Sequence, residues 1–598
     1  MRIVLLKEIP ENADLRHQWN ALVLRLEKPQ VFYTYQWALA VYRAYHAALR
    51  PLLFLAYDEG DSLCGVAALA TDPSEQHVSF LCATTGDYCD FLSTPEHRED
   101  FVGAVLAELR NQKIGEMAFA NLPADSATAS VIGRVSGSRG YRSFARTGYI
   151  CAQVSLSSLE RRGDTKPVLP RKKMLRRFLN AMGRETPVRL DHGRSWEMVE
   201  PVLPEFVQAH VARFLVTGRI SNAARAERRV FLAELAKLLS EPGWLVLTRM
   251  MSGKKVFAWN YGFQFQGTWF WYQPTFVSDL EKYSPGFCLL AKLIEEAADD
   301  PELKIVDLGL GAEEYKDRFA NQTRETVYVT LNMSLVRHCR EIVRYYAAEA
   351  VRTSPRAEVV VRGMKEHWRR LKARLAREGA ASTLLWAGRR LRELVWLEAE
   401  VSFYESSAFS VPGPNLRNSN ELTLQPLDLD ALACATSQYV DDPATLTYLL
   451  RAASRLQGRE AEGFALVDAE GKFLHFAWVA AFDGFFLSEL NAKVEAPSAD
   501  AIMLFDCWTP AQALGHGYYA QTVERIAMLV RERGQRPWIF SAAGNLASIR
   551  GLEKTGFERR YSLVRQRLMG WQSIKGETPK APRTPGTNVR SGSEDTAA

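Results

Sequence analysis

Three times along this chain, helical stretches give way to an apolar strand, a polar turn, a second strand, another turn and a third strand. Each run leads into a further helix and strand. The middle copy reads GWLVLTRMMSGKKVFAWNYGFQFQGTWFWYQP from Gly243 to Pro274, and the last reads GFALVDAEGKFLHFAWVAAFDGFFLSEL from Gly463 to Leu490. Both hold a Phe-Ala-Trp core, at Phe257 to Trp259 and Phe476 to Trp478. The first copy, Pro51 to Leu81, keeps the apolar rhythm with little residue identity. The stretches Leu15 to Ala48, Ser195 to Leu239 and Leu427 to Leu456, ahead of the copies, repeat apolar residues every three or four positions, which predicts helices. This order predicts an α+β fold of repeated units, each a mostly antiparallel sheet flanked by helices. A length of 598 residues accommodates several such units. The expected division is 1–160, 161–335, a helical connector at 336–400, a further unit at 401–570 and a tail at 571–598.

Charge is unevenly placed. The net +6 is too small for this length to imply wholesale nucleic-acid binding. Between Arg337 and Glu393, however, fifteen Lys and Arg face six Glu, a surplus of nine, so the remainder of the chain is net negative. Trp368, Leu371, Leu375, Leu384, Leu385 and Leu391 give that connector an apolar stripe. A solvated connecting helix is one reading, and peripheral attachment to anionic lipid or contact with RNA is another. From Ser573 onward the chain is rich in Pro, Gly, Ser and Thr with few large apolar residues, and disorder is expected.

The eight cysteines are scattered without a CxxC pair, so they are expected reduced, with no metal site. Ile3 to Leu6 is too short for the core of a secretory leader. The longest uncharged stretch, Val256 to Ser278, is interrupted by Asn260, Gln264, Gln266, Gln273 and Pro274 and reads as strands. A cytoplasmic protein is expected, with membrane contact only through the basic connector.

The chemistry concentrates between Ile502 and Phe557. An apolar strand, Ile502 to Cys507, enters Gln512-Ala513-Leu514-Gly515-His516-Gly517, and a helix with an apolar face at Val523, Ile526, Ala527 and Val530 follows. Glycines at a strand-to-helix junction let main-chain N–H groups converge at the positive end of a helix, where a pyrophosphate fits. Here the sequence resembles the GNAT acyltransferases, whose acyl-CoA signature is Gln or Arg, two residues, Gly, one residue, Gly or Ala. Gln512, Gly515 and Gly517 match it. A second signature of that family resembles Asn545-Leu546-Ala547-Ser548 followed by Glu553-Lys554-Thr555-Gly556-Phe557. The resemblance, over about 422–568, implies acetyl-CoA or another acyl-CoA as cosubstrate, held by Gln512, Gly515, His516, Gly517, Tyr518, Asn545 and Ser548. Asn545 is equally a helix N-cap. Family members often carry a Tyr in the last helix as the acid that protonates the departing thiolate, and its expected place is Leu552. Ser541, Ser548, Tyr518 or Tyr519 substitutes, the thiolate leaves unaided, or this unit does not catalyse. Asp506 and Glu489, expected on adjacent strands, are the candidate general bases, and each is equally a solvent-facing strand carboxylate.

From about 168 to 332 the sequence resembles the CelD-type acyltransferases of cellulose and exopolysaccharide biosynthesis, a GNAT-like branch related to the Fem aminoacyltransferases. Arg171 to Arg177, Trp271 to Gly286 and Val306 to Phe319 carry that likeness. Ser284 is placed to cap a helix that starts at Pro285, and Gly286 makes a weaker phosphate cradle, so both are candidate cofactor ligands. Asp307 ends a strand, and Gly309 and Gly311 permit a turn that returns Tyr315 and Lys316 to it. The three are candidate catalytic residues, or an Asp–Lys pair under a turn. Residues 30–156, with VFYTYQWALAVYRAY and GDYCDFL, fit the first half of the same family and are expected to add a cleft wall bearing Tyr88 and Asp90.

The resemblances imply transfer of an acyl group, other than an aminoacyl group, from acyl-CoA to an amine or hydroxyl of a small-molecule or saccharide acceptor in polysaccharide or envelope metabolism. Aminoacyl transfer from charged tRNA and a non-catalytic scaffold of an export complex are the alternatives.

Overall fold

A computed structural model describes residues 1–352 except 75, 163–165, 168 and 312, and then 396–406, 422–568 and 571–576. Most of the basic connector, at 353–395, and the tail from 577 lie outside the described residues. The chain forms two compact units, Met1–Val361 and Arg362–Ala598.

The first unit is built on one mixed sheet. Its principal strands are β1 (Arg2–Leu6), β2 (Arg50–Tyr57), β3 (Leu63–Thr71), β4 (His77–Phe80), β5 (Glu116–Pro123), β6 (Arg142–Ser155), β7 (Arg189–Gly193), β8 (Leu245–Ser252), β9 (Lys255–Phe265), β10 (Thr268–Phe276), β11 (Ile305–Asp307) and β12 (Gln322–Asn332). They lie in the order β1-β2-β3-β4-β5-β12-β6-β11-β10-β9-β8-β7, with the short strand Leu92–Ser93 added beside β3. The order is nearly symmetric about its centre. Each half runs as an antiparallel meander into one parallel pair, β4 with β5 in the first half and β10 with β11 in the second. Each half then lends its last long strand to the other. β12, made after the second meander, pairs with β5, and β6, made after the first, pairs with β11, while β6 and β12 pair with each other. This exchange joins residues more than a hundred positions apart into one ladder.

Local sequence explains the covering helices. α1 (Ala13–Arg25) starts at Asn12, whose side chain accepts from Leu15 N at 2.8 Å. α2 (Tyr35–Tyr45) buries Trp37 completely, and α3 (Leu203–Val216) and α4 (Ala226–Ser240) cover the second meander's side of the unit. α5 (Pro285–Asp299) has Pro at its first turn and buries Leu289, Leu290, Leu293, Ile294 and Ala297, the three-and-four spacing seen in the sequence. α6 (Leu335–Arg352) closes the described part of the unit and packs on β6 and β12.

The second unit contains β13 (Trp396–Ser406), β14 (Thr423–Pro426), β15 (Glu462–Val467), β16 (Phe473–Ala481), β17 (Phe485–Leu487), β18 (Ala492–Val494), β19 (Ala501–Trp508), β20 (Arg536–Ala542), β21 (Phe557–Leu568) and β22 (Trp571–Lys575). Its main sheet runs β14-β15-β16-β19-β20-β13-β21-β22, with β19 and β20 the parallel pair. β13 comes from ahead of the unit's own meander and fills the place beside β20 that the exchanged strands fill in the first unit. α7 (Pro443–Gly458), capped by Asp442, α8 (Tyr518–Glu532) and α9 (Leu546–Leu552) flank the sheet.

Two expectations are corrected. The third strand of the last copy is not in the meander, because Phe485–Leu487 turns back on Ala492–Val494 as a separate hairpin and β19 takes its place beside β16. The tail is not loose from Ser573, since Trp571–Lys575 pairs with β21 through backbone bonds that need no apolar side chains.

Candidate functional site

A parallel pair that separates leaves two strand edges without ladder partners, and a gap opens between them. In the second unit β19 and β20 stay paired only from Ala501 with Arg536 to Leu504 with Ile539. Beyond that point β19 bulges. Asp506 is left-handed at φ +46°, and the β16 register shifts between Phe476 and Trp478. A cavity of about 580 Å³ fills the gap, walled by Phe505 to Cys507 on one strand and Ile539 to Ala542 on the other.

The glycine loop closes one end of that cavity. Gly515 and Gly517 have φ of +85° and +77°, and a Cβ on either meets no atom within 4 Å, so the backbone faces open space. Gly517 is also the N-cap of α8, which turns that helix's first N–H groups toward the loop. Gly515, Gly517, Tyr518, Asn545 and Ser548 line the cavity, together with Asp506 and Glu489. Gln512 and His516 are exposed and do not line it; His516 stacks on Tyr518 with 5.6 Å between ring centres. Asn545 accepts from Ser548 N at 3.1 Å as the N-cap of α9.

The candidate acids and bases sort by their partners. Asp506 is held by Arg455 at 2.7 Å, an ion pair that occupies the carboxylate a base would need free. Glu489 is on the turn joining β17 and β18, not on a strand adjacent to Asp506, and takes a hydrogen bond from Ser488 Oγ at 2.9 Å. Leu552 is fully buried in the core. Tyr519 lies in the cavity wall with its hydroxyl 2.8 Å from Ser548 Oγ, and burial pushes its pKa well up, so it keeps its proton. Gly551 makes room for the ring: a Cβ there stands 2.5 Å from Tyr519 Cδ1. Buried His475 lies edge-on to Tyr519 and bonds Thr509 Oγ1 at 2.7 Å; burial lowers its pKa to about 3 and keeps the imidazole neutral.

The first unit repeats the same gap with different chemistry. β10 and β11 pair only from Thr268 with Ile305 to Phe270 with Asp307. The space beyond holds a cavity of about 410 Å³ between Trp271 to Pro274 and Leu308 to Leu310. Tyr315 and Lys316 line it. Tyr315 Oη accepts from Trp271 Nε1 at 3.2 Å, and Lys316 donates to Leu310 O at 3.0 Å and stands 3.4 Å from Glu313. Asp307 does not line this cavity. It is 1 % exposed and accepts from Tyr88 Oη at 2.8 Å, Gln153 Nε2 at 2.7 Å and Gly309 N at 2.8 Å, which makes it a joint between the two halves.

The expected wall residues are also corrected. Tyr88 is buried beneath the cavity as Asp307's donor, and Asp90 bonds the Phe91 N–H at 2.8 Å away from it. The wall carboxylate from the same GDYCDFL passage is Asp87, and Glu313, beside Lys316, is a second carboxylate in the wall. Burial, then the Asp307 charge, push the Asp87 pKa up to about 7, against opposing pulls from Lys316 and Arg228. Arg213 and His210 complete the wall; Arg213 donates to Pro274 O at 3.0 Å, and burial holds His210 neutral, at about 3. Ser284 and Gly286 line neither cavity. Ser284 is left-handed and makes no capping bond, and a Cβ on Gly286 would stand 3.3 Å from the Phe276 ring, so a side chain and not open space faces this helix start.

Residues 170–317 match the sequence model of the family described as acetyltransferase (GNAT) domain. This segment is a GNAT-type acetyltransferase domain. The match covers β10, the Asp307 joint, Tyr315 and Lys316, and so the second half of the first unit. No curated protein matches the sequence. Among solved structures, L-PGS from Bacillus licheniformis aligns at 11% identity over 55% of this chain and 96% of its own, with a TM-score of 0.37. FemX aligns at 9% over 55% and 97%, TM-score 0.38. A tandem GNAT protein from the clavulanic acid biosynthesis pathway aligns at 12% over 56% and 98%, TM-score 0.34. Among the described residues no group of His, Cys, Asp and Glu is arranged to hold a metal ion, and no helix is long and apolar enough to cross a membrane.

Proposed function

We propose that the protein is an acyltransferase that moves an acyl group, other than an aminoacyl group, from acyl-CoA to an amine or hydroxyl of a polar acceptor. The observation that carries this reading is the gap between β19 and β20, which opens onto left-handed Gly515 and Gly517 with free space where side chains would stand. Those glycines and the start of α8 fit a pyrophosphate, and the gap fits an extended arm ending in a thioester. Bound there, acyl-CoA supplies an activated carbonyl carbon. Tyr519, paired with Ser548, is the group expected to donate a hydrogen bond to the departing sulfur, where Leu552 offers none. Main-chain N–H groups at the β19 bulge are placed to polarise the carbonyl. A saccharide acceptor and a setting in envelope polysaccharide metabolism follow from the CelD-type resemblance of the central region.

Release of free thiol from acetyl-CoA across a panel of amines and amino sugars tests this. Turnover in the wild-type chain that is lost in Gly515→Glu is expected. Background rates throughout the panel would leave a scaffold role.

One observation favours a second reading for the first unit. The α5 start does not line the Asp87 cavity, and the Phe276 ring, not open space, faces Gly286, so this cavity lacks a cradle of the Gly515 kind and its acyl group would come from another donor, as in Fem-like transfer from charged tRNA. Salt-sensitive tRNA binding that disappears in Arg369→Glu/Arg370→Glu would support it.

A further inference from the structure

The first half of the first unit has a gap of its own, and an arginine cluster lies beside it. β4 and β5 pair only from His77 with Glu116 to Ser79 with Ala118. Beyond them a cavity of about 480 Å³ lies between Ala83 and Thr84 on one side and Ala120 and Asn121 on the other. Arg146, Tyr328 and Tyr345 line it and also line a neighbouring groove of about 640 Å³ along α6. At its far side the same cavity reaches Leu310, which lines the Asp87 cavity as well. Shared walls therefore run from α6 to Asp87.

The groove along α6 carries an unbalanced charge. Its carboxylates are engaged, Glu341 by Asn332 Nδ2 at 3.0 Å and Glu116 by His77 at 3.2 Å and Arg337 at 3.4 Å. Arg340 and Arg344 have no hydrogen bond or ion pair among the described residues. Arg146 lies 4.2 Å over the Tyr328 ring and 5.4 Å from that of Tyr345, with no carboxylate partner there. Four guanidinium groups, with Arg337, against the two carboxylates Glu116 and Glu341 leave the concavity with a surplus of positive charge, and Arg146, Arg340 and Arg344 make a site for a doubly charged oxyanion, which Arg binds through paired hydrogen bonds.

We propose that this groove holds the phosphoryl or pyrophosphoryl end of a small phosphorylated acceptor, gripped by Arg146, Arg340 and Arg344, with its other end directed past Leu310 toward Asp87. A cavity of this size and depth suits a small molecule better than a flat polyanion or a bilayer. The direction of the ligand rests on reading the Asp87 cavity as a transfer site; the anion site does not.

The test uses the full chain carrying Gly515→Glu, which silences the C-terminal loop, titrated with inorganic pyrophosphate at low salt. One saturable site is expected, weakened about tenfold or more by adding Arg340→Ala/Arg344→Ala and to an intermediate degree by Arg340→Lys/Arg344→Lys, which keeps the charge and loses the paired bonds. Equal affinity with and without the two arginines, or no binding in the Gly515→Glu chain, would overturn the proposal. Phosphatidylglycerol vesicles or tRNA that bind through the same arginines and are not displaced by pyrophosphate would overturn it too. Arginine-dependent pyrophosphate binding alongside unchanged acyl transfer in Asp87→Asn would keep the anion site and remove the transfer reading of that cavity.

Discussion

The gap between β19 and β20 and the gap between β10 and β11 arise the same way, from a parallel pair that parts after three or four residues, yet their walls carry different chemistry. The second unit has an open glycine loop at a helix start and a protonated tyrosine, but its strand carboxylate is tied to Arg455. The first unit has a carboxyl group that burial pushes up to about 7 beside Lys316, but at its helix start the Phe276 ring faces Gly286. The fold supplies the gap, and a few residues at its mouth set its chemistry, an open glycine loop in one and a buried carboxyl group in the other.

The two aspartates at the gaps give the sharpest contrast. Asp307→Ala leaves three buried donors, from Tyr88, Gln153 and Gly309, without an acceptor, and should cost about 3–5 kcal/mol in denaturant unfolding of the first unit. Asp506→Ala removes a partly exposed ion pair and should cost within about 1 kcal/mol. Equal costs would mean that Asp307 is not the joint described.

Tyr519→Phe should lower kcat about 100-fold with KM for acetyl-CoA little changed, because the hydroxyl acts on the leaving group and not on binding. A full-rate Tyr519→Phe enzyme would make the thiolate leave unaided.

Asp87 predicts a pH signature. Its folded carboxyl holds a proton up to about 7, above its unfolded value, so the folded state binds more protons across that interval and stability falls as pH rises from about 4 to 7. Asp87→Asn should flatten that slope. Any transfer in this cavity should rise with pH through about 7 and be lost in the same variant. The smallest effect is expected from Gly286→Ala, where the Phe276 ring gives by a few tenths of an ångström and acyl-CoA affinity stays unchanged.

Much of this was legible in sequence for a local reason. Helices such as α5 and the turns around Gly515 and Gly517 are fixed by residues within a few positions of each other. The exchange of β6 and β12 was not, since a strand's edge partners over a hundred residues away leave no periodic trace. Asp87 was missed in favour of Tyr88 and Asp90 because consecutive residues of an irregular turn face different ways, and only the tertiary placement of GDYCDFL shows which one reaches the cavity. Phe485–Leu487 has the apolar character of a sheet strand, and it is one, but in a hairpin whose partner lies a few residues downstream. Of Ser541, Ser548, Tyr518 and Tyr519, Tyr519 is the one whose ring lies against Gly551 and whose hydroxyl meets Ser548, a placement that depends on a helix some thirty residues downstream.

On the proposed reading, the open glycine loop of the second unit cradles acyl-CoA and the α5 start of the first, faced by Phe276, does not. Equilibrium dialysis of the full chain against labelled acetyl-CoA counts the sites directly. One equivalent per chain, falling to none in Gly515→Glu and unchanged in Gly286→Glu, is predicted; two equivalents, or one that survives Gly515→Glu, would contradict it.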